Sequence, residues 1–232
     1  MATFLAIESS TAVCAVAVVK NGTAVAARTT SEAYAHAEKL AVFIQEVIRE
    51  SGVGLSEVDA VVVSGGPGSY TGLRIGVSTA KGICWALDKP LIAVPTLLAM
   101  AAGAKSQLQW SAPFLLCPLI DARRMEVYTA TFDEQLAEVR SLSATIVDEN
   151  AFTALLDKHI VYFFGDGMAK CKPMLEQHPN ARFLDSFQMD AVHLIPIADQ
   201  RFGRGDTDHV ALYEPHYFKE FVAGKGSQSP AQ

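Results

Sequence analysis

The stretch GGPGSYTGLRIGVSTAKG, residues 65 to 82, places six glycines where an apolar run gives way to a helical pattern. Glycines at such a junction serve one of two ends. Exposed main-chain N–H groups at a helix start take up an anion, or bare backbone lets another element come close. The nucleotide fingerprints do not fit. A dinucleotide loop needs G-x-G-x-x-G, whereas Gly66, Gly68 and Gly72 are spaced two and four; a Walker loop ends in G-K-[ST], whereas Lys81 lies far along the helix. The helix-start loop of Gly66, Gly68, Ser69 and Thr71 keeps three simpler capacities: a tight turn at Pro67-Gly68, a cap from Ser69 or Thr71, and a place for an anion. Beyond it Gly72, Gly76 and Ala80 recur every fourth residue as a stripe of small side chains. Two glycines inside a helix cost roughly 1 kcal/mol each relative to alanine, so close packing must compensate, against a neighbour in the same chain or against a partner.

Other reactive residues are scattered. Cys14, Cys84, Cys117 and Cys171 form no CxxC pair and read as small buried hydrophobes. His209 and His216 are seven apart, the wrong spacing for a helical metal site, and no metal is expected. Two acids close apolar runs: Glu8 after TFLAI and Asp121 after FLLCPLI.

The elements that hold these residues follow from periodicity. TFLAIE (3–8), AVCAVAVV (12–19) and 23–30 read as three strands, with Asn21-Gly22 as the hairpin turn. Leu40, Phe43, Ile44, Val47 and Ile48 mark a helix that Ser31 would cap and Gly52 would end. A buried strand at 59–64, a helix from 73 to 87 stopped by Asp88-Lys89-Pro90, a strand at 91–94 and a helix from Thr96 complete this half. The layout then repeats 113 residues on, with Asp121 standing where Glu8 stood; helices are expected near 148–157, after Gly165-Asp166-Gly167 and from about 190 to 202. The expectation is an α/β protein of two lobes, each a mixed sheet flanked by helices. Residues 1–105 form the first, 106–223 a smaller second whose last segment packs back on the first, and 224–232 a disordered tail.

Hydrophobic residues at 50% support a large core, and a net charge of −6 gives no basic surplus for gripping nucleic acid unaided. Arg28, Arg74, Arg123 and Arg124 read first as solvated charge, with a share in a composite RNA surface as the alternative. With no leader pattern and no long apolar run, the chain reads as cytoplasmic and free of the membrane.

AIESSTAVCAVAVVKNG, DAVVVSGGPGSYTGLRIGVSTAKG, LIDARRMEVYTATF, HLIPIADQRF and EPHYFKEFVA together resemble the bacterial TsaB (YeaZ) family over nearly the whole chain. The resemblance implies the actin-like ATPase (ASKHA) fold with two RNase-H-like lobes. It also implies a non-catalytic role in making threonylcarbamoyladenosine in tRNA, beside the paralogue TsaD and the ATPase TsaE, with tRNA met through the complex and self-association when the chain is alone. Its partner surface is the first two helices, here Tyr34, His36, Leu40 and Phe43 with Gly72, Gly76 and Ala80. The phosphate-loop positions Glu8, Ser9, Ser10, Thr11, Asp121 and Arg123 are degenerate, with no glycine in either turn, so no cofactor is expected unless a nucleotide lodges at a joint between subunits. Glu8 replaces the usual aspartate, and Tyr217-Phe218-Lys219 replaces Tyr-Leu-Arg. The competing expectation is a nucleotide-dependent phosphotransferase or metallopeptidase-like enzyme of the same fold, resting on Glu8, Asp121 and the Gly165–Gly167 loop.

Overall fold

A computed structural model describes residues 2–32, 35–109 and 113–218. The first half runs β1 (Thr3–Glu8), β2 (Cys14–Lys20), β3 (Thr23–Thr30), α1 (Ala35–Ser51), β4 (Ala60–Ser64), α2 (Tyr70–Leu87), β5 (Leu91–Val94) and α3 (Thr96–Gln107). The second runs β6 (Phe114–Asp121), β7 (Glu126–Phe132), β8 (Glu138–Ile146), α4 (Thr153–Leu156), β9 (Ile160–Phe164), α5 (Met168–Leu175), β10 (Ala181–Phe183) and α6 (Ile195–Gly203). Asn21 and Gly22 both take positive φ, 54° and 76°, the twist a two-residue hairpin needs.

The two sheets have one topology. The first is ordered β3-β2-β1-β4-β5 and the second, from its matching edge, β8-β7-β6-β9-β10. In each, the inner strand pairs antiparallel with the next strand and parallel with the fourth. The internal repeat read from sequence is therefore a repeat of hydrogen-bonding pattern, and Glu8 and Asp121 end the two inner strands.

Strand β1 is buried on both faces, and alternation divides its side chains between two layers. Leu5 and Ile7 join Leu40, Ile44 and Val47 of α1 and Val77 and Ala80 of α2 on the outer face. Phe4 and Ala6 point the other way, into a layer that includes Met100 of α3, Leu116 of β6, Phe164 of β9 and Leu194. That layer belongs to both lobes. A third cluster packs α4 and α5 on the outer face of the second sheet.

Some expectations shift. Helix α1 is described from Ala35, and residues 33 and 34, which separate it from the expected cap Ser31, lie outside the described residues. Only four residues of the helix expected near 148–157 are α-helical. Before α6 comes a 3-10 turn, Ala191–Leu194, where the Asp190 side chain accepts a bond from Val192 N at 3.1 Å. After α6 the chain returns to the first lobe. Asp208 accepts from Ala93 N at 2.7 Å, Arg201 donates to Ala93 O at 2.7 Å, and Lys81 donates to Tyr213 O at 2.8 Å. Tyr34, Lys219 and the expected tail at 224–232 lie outside the described residues.

Candidate functional site

Strands β1 and β6 end on opposite walls of a cleft of about 760 Å³. The first wall carries Ser10, Thr11, Gly68 and Ser69, the second Asp121 to Arg124, and Tyr217 and Phe218 of the returning segment also line it.

On the first wall the space beside Gly68, Gly72 and Gly76 is filled by Ser9 and Ser10 of the chain's own turn after β1. A Cβ on Gly68 would stand 2.1 Å from Ser10 O, one on Gly72 2.1 Å from Ser9 O, and one on Gly76 2.0 Å from Ser9 Oγ. The turn after β1 lies flat along the bare face of the helix. Ser69 N donates to Ser10 O at 2.7 Å, and Ser69 Oγ accepts from Gly72 N at 3.2 Å as the helix cap. Gly72, Gly76 and Ala80 are all buried within the single chain. The small-residue stripe expected to receive a partner is thus occupied from inside, because a turn crossing a helix so closely leaves no room for side chains. Leu40 is likewise core, and Phe43 packs half-buried on the same layer. His36 bonds Val13 O through Nε2 at 3.0 Å, tying the start of α1 to the turn. What α1 and α2 turn outward includes Val42, 48% exposed, and Trp85, 76% exposed.

Beneath the turn Glu8 is completely buried. Its Oε1 accepts from Ser10 N at 2.6 Å and Ser10 Oγ at 2.5 Å, while Oε2 and Ser9 Oγ have no partner among the described residues. Burial pushes the Glu8 carboxyl up from 4.5 to about 7, against the lowering effect of the bonds from Ser10.

The second wall is charged and differently built. Asp121 is half exposed, and burial that would raise it is outweighed by Lys170 and the Arg123 N–H, which hold it below the usual carboxylate range. Lys170 Nζ reaches Asp121 Oδ1 at 2.7 Å, Arg124 O at 2.9 Å and Glu126 O at 2.6 Å. Asp166 accepts from Asp121 N at 3.0 Å. Gly165 and Gly167 are pressed on the end of β6, where added Cβ atoms would meet Leu119 O at 2.4 Å and Val127 Cγ1 at 2.9 Å. Lys170 was not legible as a site residue, since nothing local in the sequence links it to a turn 46 residues earlier.

Among the described residues no three His, Cys, Asp or Glu side chains gather to hold a metal ion. All four cysteines are buried free thiols, raised by burial to between about 11 and 12 and so unreactive at neutral pH. No described helix is long and apolar enough to cross a membrane.

Two lobes of one sheet topology, with a cleft at the ends of their inner strands, define a two-lobed actin-like fold of the ASKHA type. An activator of 2-hydroxyisocaproyl-CoA dehydratase from Clostridium difficile shares it at a TM-score of 0.50 and 9% identity, over 87% of this chain and 97% of that one. The family model described as TsaD, tRNA N6-adenosine threonylcarbamoyltransferase, matches residues 25–177. The Escherichia coli tRNA threonylcarbamoyladenosine biosynthesis protein TsaB is 30% identical over 95% of this chain and 96% of its own length. YeaZ from Pseudomonas aeruginosa superposes with a TM-score of 0.74 at 26% identity, covering 94% of this chain and all of that one. The chain belongs to the TsaB (YeaZ) family.

Proposed function

We propose that this chain is a non-catalytic subunit of the machinery that makes N6-threonylcarbamoyladenosine in tRNA, supporting a TsaD-type transferase through the outward faces of α1 and α2. The observation that carries the reading is the nearly end-to-end match to a protein named for that biosynthesis. Two structural features support it. The turns after β1 and β6 contain no glycine, and the first is pressed on α2, leaving a phosphate little main chain to approach. Trp85 and Val42 stand exposed on the two helices, and an aromatic anchor of this kind is where binding energy concentrates in an interface. On this reading TsaE joins the assembly, tRNA is met through it, the chain acts in the cytoplasm, and two copies pair by the same face when the transferase is absent.

Mixing the chain with the TsaD of its own organism at micromolar concentration, and measuring mass by light scattering, should show a heterodimer. Trp85→Glu should weaken it by about 30-fold or more, whereas Ile146→Glu, on an equally exposed residue of the second lobe, should not. Absence of a complex, together with intact threonylcarbamoyladenosine in tRNA from cells lacking the gene, would refute the proposal.

A further inference from the structure

Gly65 and Gly66, the pair that opens the glycine junction, lie under the segment that returns after α6. A Cβ on Gly65 would stand 2.5 Å from Tyr213 Oη, and one on Gly66, which also takes a φ of 101°, 2.5 Å from His216 O. Main chain bared for a neighbour at such distances marks a seat built into the fold.

The segment, residues 206–218, carries no helix or strand, and its two ends are held by different chemistry. On the first lobe the hold is polar and directional. Asp208 N donates to Leu91 O at 2.8 Å, beside the bond that Asp208 accepts from Ala93 N, and His216 N donates to Gly65 O at 2.8 Å. Lys81 Nζ donates to Ala211 O at 3.1 Å and Tyr213 O at 2.8 Å. Tyr217 then lies on Tyr70, the first residue of α2, at 4.7 Å. From there the chain crosses the cleft, which Tyr217 and Phe218 both line. On the second lobe Phe218, 38% exposed, meets Tyr128 of β7 edge to face at 5.7 Å. Several main-chain bonds let go together or not at all, whereas a half-exposed ring leaves its neighbour by one local opening.

We propose that residues 206–218 are a clasp across the cleft, fastened firmly on the first lobe and releasably on the second, so that Phe218 on Tyr128 limits how far the two walls part. The layer that both sheets share stays packed when the clasp lets go. The clasp depends neither on a ligand in the cleft nor on a partner at α1 and α2.

Spin labels measure the spacing of the walls. The native cysteines are buried, so labels go selectively to Thr29→Cys at the cleft end of β3 and Glu149→Cys just beyond β8, both exposed positions. With labelled chain diluted in unlabelled chain, the pair should give one narrow distance distribution. Phe218→Ala should widen it about twofold or more, because walls freed at the clasp sample wider separations. Phe218→Tyr, which keeps the ring, should leave it narrow. In Phe218→Ala, hydrogen exchange at the Asp208 and His216 amides should stay slow, since the first-lobe end keeps its bonds; Lys81→Met, which removes two of them, should speed it about tenfold. Leu212→Ala, at a residue of the segment 75% exposed, should change neither reading. A broad distribution before any substitution, or a width that Phe218→Ala leaves unchanged, overturns the proposal. So does fast exchange at Asp208 and His216 in the unsubstituted chain, which would put the weak end on the first lobe.

Discussion

Glu8 is a fully buried carboxyl. A carboxyl that titrates near 7 in the fold and near 4.5 when unfolded binds more protons in the native state between those values. Its contribution to stability is therefore fully present below about 4.5 and is lost as pH rises through 7. The difference is on the order of 3 kcal/mol. Glu8→Gln, which keeps an acceptor for Ser10, should flatten the fall in unfolding free energy between pH 5 and 7 and leave the variant the more stable of the two at pH 8. Urea titrations across that range would measure it. An unchanged slope would mean that Glu8 ionises as an ordinary surface acid. The sequence showed only an acid at the end of an apolar strand; that it is fully buried, with no partner for its second oxygen among the described residues, is a result of the fold.

At the scale of elements, α2 offers an internal comparison. Gly76→Ala puts a methyl 2.0 Å from Ser9 Oγ under a buried turn, and overpacking of this kind costs about 1–3 kcal/mol. Gly82, on the same helix but exposed, has nothing within 4 Å of an added Cβ. Gly82→Ala should instead stabilise by up to about 1 kcal/mol. Melting temperatures of the two variants should move in opposite directions, and a common direction would show that the stripe is not packed as described. The spacing of four was readable, as was the need for a close neighbour. Which neighbour was not, because a helical stripe has the same pattern whether a partner helix or the chain's own turn lies on it.

Across the whole molecule, the layer between the sheets decides whether two lobes behave as one body. Phe164 is fully buried there and meets Phe187 edge to face at 4.8 Å. Phe164→Ala should cost about 3–5 kcal/mol. Because Phe4, Met100 and Leu116 share that layer, calorimetry should still record a single transition; two separate ones would show that the lobes unfold independently. The repeated strand layout, the glycine junction, the hairpin at Asn21-Gly22 and the two acids were written in the sequence, since periodicity and turn chemistry act over a few residues. The sealing of the glycine stripe by Ser9 and Ser10, the clamp of Lys170 on a turn 46 residues away and the return of Asp208 to β5 were settled only by the fold. Contacts of that kind depend on which distant segments the sheets bring together, and residue spacing holds no record of it.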